Sequence, residues 1–225
     1  MRAEGLTLAA PSTRSHEPVP PSRDISGRAE LTLEGLNMHV FEAITTRVSA
    51  KSLSEPGPSD SQIAALLEAG ACAPDHGRLR PWRFLVVRGK AREELGDLFA
   101  TATRARQADA TEDALERERR KPLRAPLIVV VAAVLTAQSK IPEIEQLLSV
   151  GAAAQNILLA AHGLGFGAIW RTGETAYDPG IVQGLGLPRE ARIVGFLYIG
   201  SSVSAPIVRR PTSDTNATEW SRGPS

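Results

Sequence analysis

The segment that most restricts the fold spans residues 143–162. There Leu147, Leu148, Val150, Ala152, Ala153, Ala154, Ile157, Leu158, Leu159, Ala160 and Ala161 leave a helix with almost no polar face. A helix apolar all round has to be covered all round. In a chain of 225 residues that cover is easiest to find if a second copy packs against one side, so the pattern points to a homodimer. A central helix enclosed by its own chain is the alternative. Gln155 and Asn156 interrupt the apolar surface and require hydrogen-bond partners, either backbone across a subunit interface or a bound cofactor.

A second constraint is the unbroken β-branched run at 127–135, which follows Pro122 and Pro126 and reads as a strand buried on both faces, central in its sheet. Around these two segments the remaining elements fall into place. Short helices are expected at 39–46 and 59–73, the latter with Ser59 as N-cap and Gln62 completing a capping box. Strands are expected at 82–87, 165–172 and 192–200, a helix or helix pair at 91–121, and a short helix at 178–185. The charged stretch 112–121 reads as a solvent-facing surface. With 42% hydrophobic residues this is enough for one α+β domain, a central mixed sheet flanked by helices over 38–200.

Residues 1–37 carry Pro11, Pro18, Pro20 and Pro21 without apolar periodicity and read as a disordered tail. The brief apolar run ending at Pro11 does not fit a secretory signal, and Met38 stands as an alternative first residue where order begins. Residues 201–225, rich in Pro, Ser and Thr, read as an extended arm. A balance of 26 basic against 25 acidic residues gives no broad field for nucleic acid or an anionic membrane. No unbroken apolar run approaches the roughly 20 residues of a spanning helix. Cys72 is the one cysteine, which excludes an internal disulfide and a paired-cysteine metal site, and suits a reducing cytoplasm.

Three segments carry candidate chemistry: Arg47-Val48-Ser49; Ala73-Pro74-Asp75-His76 leading to Pro81-Trp82; and Gly165 to Gly173. A phosphate monoester is matched best by guanidinium forks with a hydroxyl, and Arg47, Ser49 and Arg171 supply that set. Gly165 and Gly167 remove side chains where a flat ring could approach a strand. The GLGFGA run at 163–168 is not a dinucleotide fingerprint, because it leaves a helix and enters a strand, the reverse of the Rossmann order. His76 is a possible proton donor by residue type, although a loop histidine beside Asp75 is more commonly structural. Cys72, in a helical apolar setting, reads as an inert buried thiol.

In this order, APDH, then PW, then GFGAIWRTG resembles the nitroreductase superfamily, and most nearly its small members of the YdjA type, over residues 41–200. The resemblance implies an intertwined homodimer with flavin mononucleotide (FMN) in each of two interfacial clefts, and NAD(P)H as electron donor to a nitroaromatic, quinone or similar small acceptor. It implies that Arg47, Val48 and Ser49 hold the ribityl phosphate, that Trp170, Arg171, Thr172 and Gly173 close on the cofactor, and that Cys72 and His76 approach from the other subunit. The nicotinamide region would be Ala161, His162, Gly163, Leu164, Gly165 and Phe166, and Trp220 would anchor the arm on the partner. No metal and no dedicated catalytic side chain is implied, since the flavin carries the chemistry. The chain departs from the pattern at Val48 and Ser52, where basic residues are common, and at Arg78 and Arg80, where Asn and Gln are common. A flavin-binding storage or sensing protein, and specialised flavin chemistry such as dehalogenation or dehydrogenation, are the rival functions on the same fold.

Overall fold

All seven residues of strand β3 (Leu127–Ala133) are buried, so the sheet carries helices on both faces. The computed structural model describes residues 38–202 and 218–220. The expected tail at 1–37, and the arm at 203–217 and 221–225, lie outside the described residues. The remaining elements are α1 (Val40–Thr46), β1 (Leu53–Ser54), α2 (Asp60–Ala71), β2 (Trp82–Arg88), α3 (Ala91–Arg106), α4 (Glu112–Arg120), α5 (Glu143–Gly163), β4 (Gly167–Arg171), α6 (Pro179–Gly184) and β5 (Arg192–Ser202). Apart from β1, where no strand was expected, each lies within two residues or so of its expected position. The 91–121 segment resolves into a helix pair, its second member capped by Thr111, whose hydroxyl accepts the Ala114 N–H at 3.3 Å. The capping box of α2 is present as read: Gln62 N–H donates to Ser59 Oγ at 3.3 Å and Ser59 N–H to Gln62 Oε1 at 2.9 Å.

The sheet is not mixed. Its described ladders are antiparallel, β2 with β3, β3 with β5, β4 with β5 and β1 with the end of β5. The one parallel contact is an isolated bridge between Ser49 and Ala168. The eleven-residue β5 is long enough to serve three partners at once, β3, β4 and β1.

Alternation along β3 sends Ile128, Val130 and Ala132 to one face, where Leu95, Phe99, Ile181 and Phe196 cover them. Leu127, Val129, Val131 and Ala133 go to the other, against Leu66, Val150, Ile157 and Leu158. The second face belongs to α2 and α5, which touch closely because Gly70 leaves room for Ile157. Asn156 settles its polar need there by donating to the Ala69 carbonyl at 3.1 Å.

The α5 helix is long and apolar enough in composition to cross a membrane, which a count of unbroken runs overlooked. Its inner face nevertheless packs in the core through Val150, Ala153, Ala154, Ile157 and Ala161. The outer stripe is bare in the protomer: Ile144 is 61% and Leu148 64% exposed, and Gln155 continues the exposed line. The complete cover that the sequence demands is therefore not supplied by this chain's described residues. Trp220 is likewise 81% exposed.

On the first face, α3 and α4 form an antiparallel pair that approaches most closely at Gly96, where a Cβ would overlap the Arg119 carbonyl. Alanine at a helix interior gains about 1 kcal/mol over glycine, whereas forcing a methyl against backbone costs about 1–3 kcal/mol. Gly96→Ala is therefore expected to lower the denaturant midpoint, with an unchanged slope of unfolding free energy against denaturant. A raised midpoint would show that α4 yields freely.

Candidate functional site

The α3–α4 layer stops short of the free end of β4 and leaves a cleft of about 620 Å³. Its floor is the edge-to-face pair Phe99 and Phe196, 5.3 Å between centroids, with Ile169 and Tyr198 beside them. Thr103, Arg106, Arg117, Glu118 and Lys121 form one wall, and Trp170, Arg171, Thr172 and Gly173 form the other. A second recess of about 220 Å³, lined by residues 50–53, shares Arg124, Ile169, Arg171 and Tyr198 with the first.

The cleft is strongly basic, and its cations differ in how far they are neutralised. Arg106 is held by the buried carboxylate of Asp178 and by Glu174 at 3.7 Å. Asp178 also accepts the Gly180 N–H at 2.7 Å, so one carboxylate fixes both the arginine and the start of α6. Lys121 donates to Glu118 at 2.6 Å. Arg171 lies with its guanidinium carbon 6.0 Å from the centre of the Tyr198 ring. Burial pushes the Tyr198 hydroxyl up to about 12, against the opposing pull of Arg171 and Arg124. It therefore remains a protonated donor throughout the neutral range.

Of the residues expected from sequence, four line this cleft: Trp170, Arg171, Thr172 and Gly173. The Trp170 indole itself packs over Gly195, where a Cβ would collide with it, and donates to the Val194 carbonyl at 3.1 Å. Gly173 has φ 79° and ψ −173°, a conformation open essentially to glycine alone, and it turns the chain out of β4.

Arg47 and Ser49 do not line the cleft. The bridge from Ser49 to Ala168 sets residues 47–50 parallel to β4, with Arg47 near its beginning and Arg171 at its end. Five residues of strand separate the two backbone positions by roughly 16 Å along the axis. Val48 lies between, half-buried. The backbone thus sets the two arginines at opposite ends of β4.

The Ala161–Phe166 stretch lies away from the cleft and closes α5. Phe166 N–H donates to the Ala161 carbonyl at 2.9 Å and Gly165 N–H to the His162 carbonyl at 3.0 Å, a Schellman stop with Gly165 at φ 83°. Gly163 is the last helical residue and Leu164 the C-cap. The space left by Gly167 is filled by Leu53, Ala50 and Ser202. The glycines at 165 and 167 thus serve helix termination and packing.

His162 Nε2 lies 2.8 Å from Thr46 Oγ1, which itself donates to the Glu42 carbonyl at 2.6 Å. A hydroxyl has one proton to give, so the ring Nε2–H is the donor to Thr46. Cys72, expected to be buried, is exposed as the C-cap of α2. His76 pairs through Nδ1 with Glu145 at 2.6 Å, at the first turn of α5 and outside the cleft of its own protomer. Lys51, Arg106, Arg117, Lys121, Arg124 and Tyr198 were missed from sequence. Three of them, Arg117, Lys121 and Arg124, sit in or just beyond the 112–121 run read as a solvated surface.

A basic, aromatic-floored cleft stands at the end of an antiparallel sheet in this α+β protein, between a helix pair and a glycine turn, and its lining is suited in shape and charge to a flat, anionic small molecule. The nitroreductase family profile matches residues 44–201, and the chain belongs to that family. It is similar to Escherichia coli K12 YdjA, whose name as an NAD(P)H nitroreductase is provisional, with 37% identity over 164 residues, 73% of this chain and 88% of the relative. A Haemophilus influenzae protein of the same provisional name is 31% identical, covering 74% of this chain and 90% of its own length. Among solved structures, a nitroreductase-like protein of Bacillus cereus superposes with a TM-score of 0.69 at 27% identity, covering 82% of this chain and 97% of its own. One from Desulfovibrio desulfuricans, in complex with FMN, gives 0.61 at 27%, covering 81% and 98%.

Partial burial, and then the charge of Arg47, hold the His162 imidazole below its ordinary 6.5. A depressed native value means that its contribution to stability is complete above pH 6.5 and is lost as pH falls toward the native value. The melting temperature is expected to fall on acidification below that point, and to fall less in His162→Gln. Parallel melting curves for the two proteins would remove His162 from the account.

Proposed function

We propose that the chain is an FMN-dependent oxidoreductase that takes electrons from NADH or NADPH and delivers them to a nitroaromatic, quinone or similar small acceptor, in alternating half-reactions as a homodimer. The observation that carries it is the cluster of Lys51, Arg124 and Arg171 around the protonated Tyr198, in a cleft walled by the β4 terminus. The E. coli relative's name and the FMN complex of the D. desulfuricans relative support it.

The residues present fit this cofactor. FMN supplies a two-electron carrier whose ring gains negative charge on reduction and whose tail is a phosphate. Arg124, Arg171 and Lys51 provide cations where ring charge needs offsetting, and Tyr198 O–H adds a neutral donor. Gly173 presents backbone without a side chain. Arg47 and Ser49, a strand's length away, would take the phosphate, so the arginine pair reads an extended cofactor at both ends. Fixed at its far side by the Arg106–Asp178 contact, the wall keeps this geometry without rearrangement. No side-chain acid or base is required. One open cleft has to serve donor and acceptor in turn, which favours alternating half-reactions.

The bare stripe of α5 and the exposed Val40, Phe41 and Ile44 of α1 are surfaces that a second copy would cover. Leu148→Lys is expected to shift the sedimenting species from dimer toward monomer; a wild-type protein that sediments as a monomer would exclude this part of the proposal.

Titration with riboflavin phosphate, followed by flavin fluorescence, is expected to show tight binding that Arg171→Ala weakens by about tenfold to a hundredfold, the worth of a charge-assisted contact. Anaerobic NADPH or NADH should then bleach the bound flavin. Flavin that binds but bleaches with neither donor would favour the storage or sensing function.

A further inference from the structure

The α4 helix and its C-cap carry four basic side chains, Arg117, Arg119, Arg120 and Lys121, and three of them find a carboxylate. Arg119 pairs with Glu112 at 2.7 Å and Arg120 with Glu116 at 2.8 Å, and Lys121 pairs with Glu118. Arg117 is the exception among the described residues. Asp113 stands four residues before it, the spacing and order that favour pairing on a helix, yet no ion pair forms and Arg117 lines the cleft opposite the β4 terminus. Its neighbours there are otherwise engaged. Arg106 is matched by Asp178 and Glu174, Lys121 by Glu118, and Arg124 and Arg171 belong to the inner recess around Tyr198.

We propose that Arg117 is a specificity residue that recognises an anionic group, carboxylate or phosphate, on the small molecule that exchanges electrons in this cleft. The inference rests on the FMN function proposed above and adds to it the charge of the substrate. An unmatched guanidinium on an open wall contributes by attracting and orienting an anion as it enters, an effect that is moderate and weakens with salt. An acidic acceptor and the extra phosphate of NADPH present the same chemistry to it.

The test pairs para-nitrobenzoate with para-nitrobenzamide, which share a shape and differ in charge, and NADPH with NADH, in the flavin-loaded enzyme. The variants are Arg117→Gln, Arg117→Lys and, as a control for charge loss elsewhere on α4, Arg120→Gln. Taking each ratio of kcat/KM between wild type and variant cancels the intrinsic reactivities of the pair. Arg117→Gln is expected to lower the benzoate-to-benzamide ratio about threefold to tenfold, with Arg117→Lys largely restoring it and Arg120→Gln leaving it unchanged. The wild-type preference should shrink as salt is raised. A fall in the NADPH-to-NADH ratio instead would place the anion on the donor and equally support the proposal. Calorimetric titration of the oxidised protein with benzoate and benzamide supplies a readout independent of turnover: Arg117→Gln should weaken benzoate alone. Unmoved ratios in both pairs, with unmoved benzoate affinity, overturn the proposal. A protein that takes up no flavin shows that failure in the riboflavin phosphate titration, before any acceptor is added, and the benzoate arm still decides on Arg117.

Discussion

The double-sided burial of β3 governs the rest of the molecule. Seven consecutive buried residues leave no solvent-facing side on that strand, so each face needs its own helical layer. The two layers differ in kind. In the α2–α5 layer, α5 leaves apolar side chains bare on its outer side at Ile144 and Leu148. Its opposite number, α3–α4, is apolar inward at Leu95, Phe99 and Leu115 and heavily charged outward. Asymmetry of this sort separates the two faces: one leaves an apolar stripe bare, and the other frames a pocket.

The pocket exists because the framing layer is short. Among the described residues the α3–α4 layer leaves the end of β4 open to a cleft, and the core's own aromatic pair becomes its floor. Stability and site are therefore joined at Phe99 and Phe196, which pack the sheet against α3 and also set the depth of the recess. Electrostatics follow from the same geometry. Cations at a partly dry wall repel one another and lose hydration; Arg106 and Lys121 are tied to carboxylates, and Arg117, Arg124 and Arg171, which carry no ion pair among the described residues, mark where an external anion can repay the cost.

Element positions were legible in the sequence because periodicity, prolines and caps are local signals. Ser59 with Gln62, and the apolar face of residues 143–162, each predicted what they form, whereas Thr111, which caps α4, was not read as a cap. The site was legible only where it coincided with a sheet terminus, at Trp170–Gly173. Its opposite wall was hidden because Arg117, Lys121 and Arg124 lie in a run whose density of charge looks like ordinary solvation. Whether a helical arginine faces water or a cleft depends on where the neighbouring helix ends, and no local pattern carries that. The glycines misled for a related reason. Gly165 and Gly167 are required by a helix stop and by the packing of Leu53, and a backbone need cannot be told from a ligand's need by composition.

Arg47 and Arg171 show how far such reasoning can be repaired by topology. Chemistry alone groups two arginines and a serine around one phosphate. The bridge of Ser49 to Ala168 spreads that grouping along a strand, since it sets residue 47 near one end of β4 and 171 at the other. Under the proposed function that separation has a use, because a cofactor with a planar head and an anionic tail is itself extended and asks for positive charge at both ends. A strand edge is well suited to measure such a length: β4 pairs with β5 along all five of its residues and also carries the isolated bridge to Ser49. Grouping by chemistry alone then gives way to spacing set by a strand.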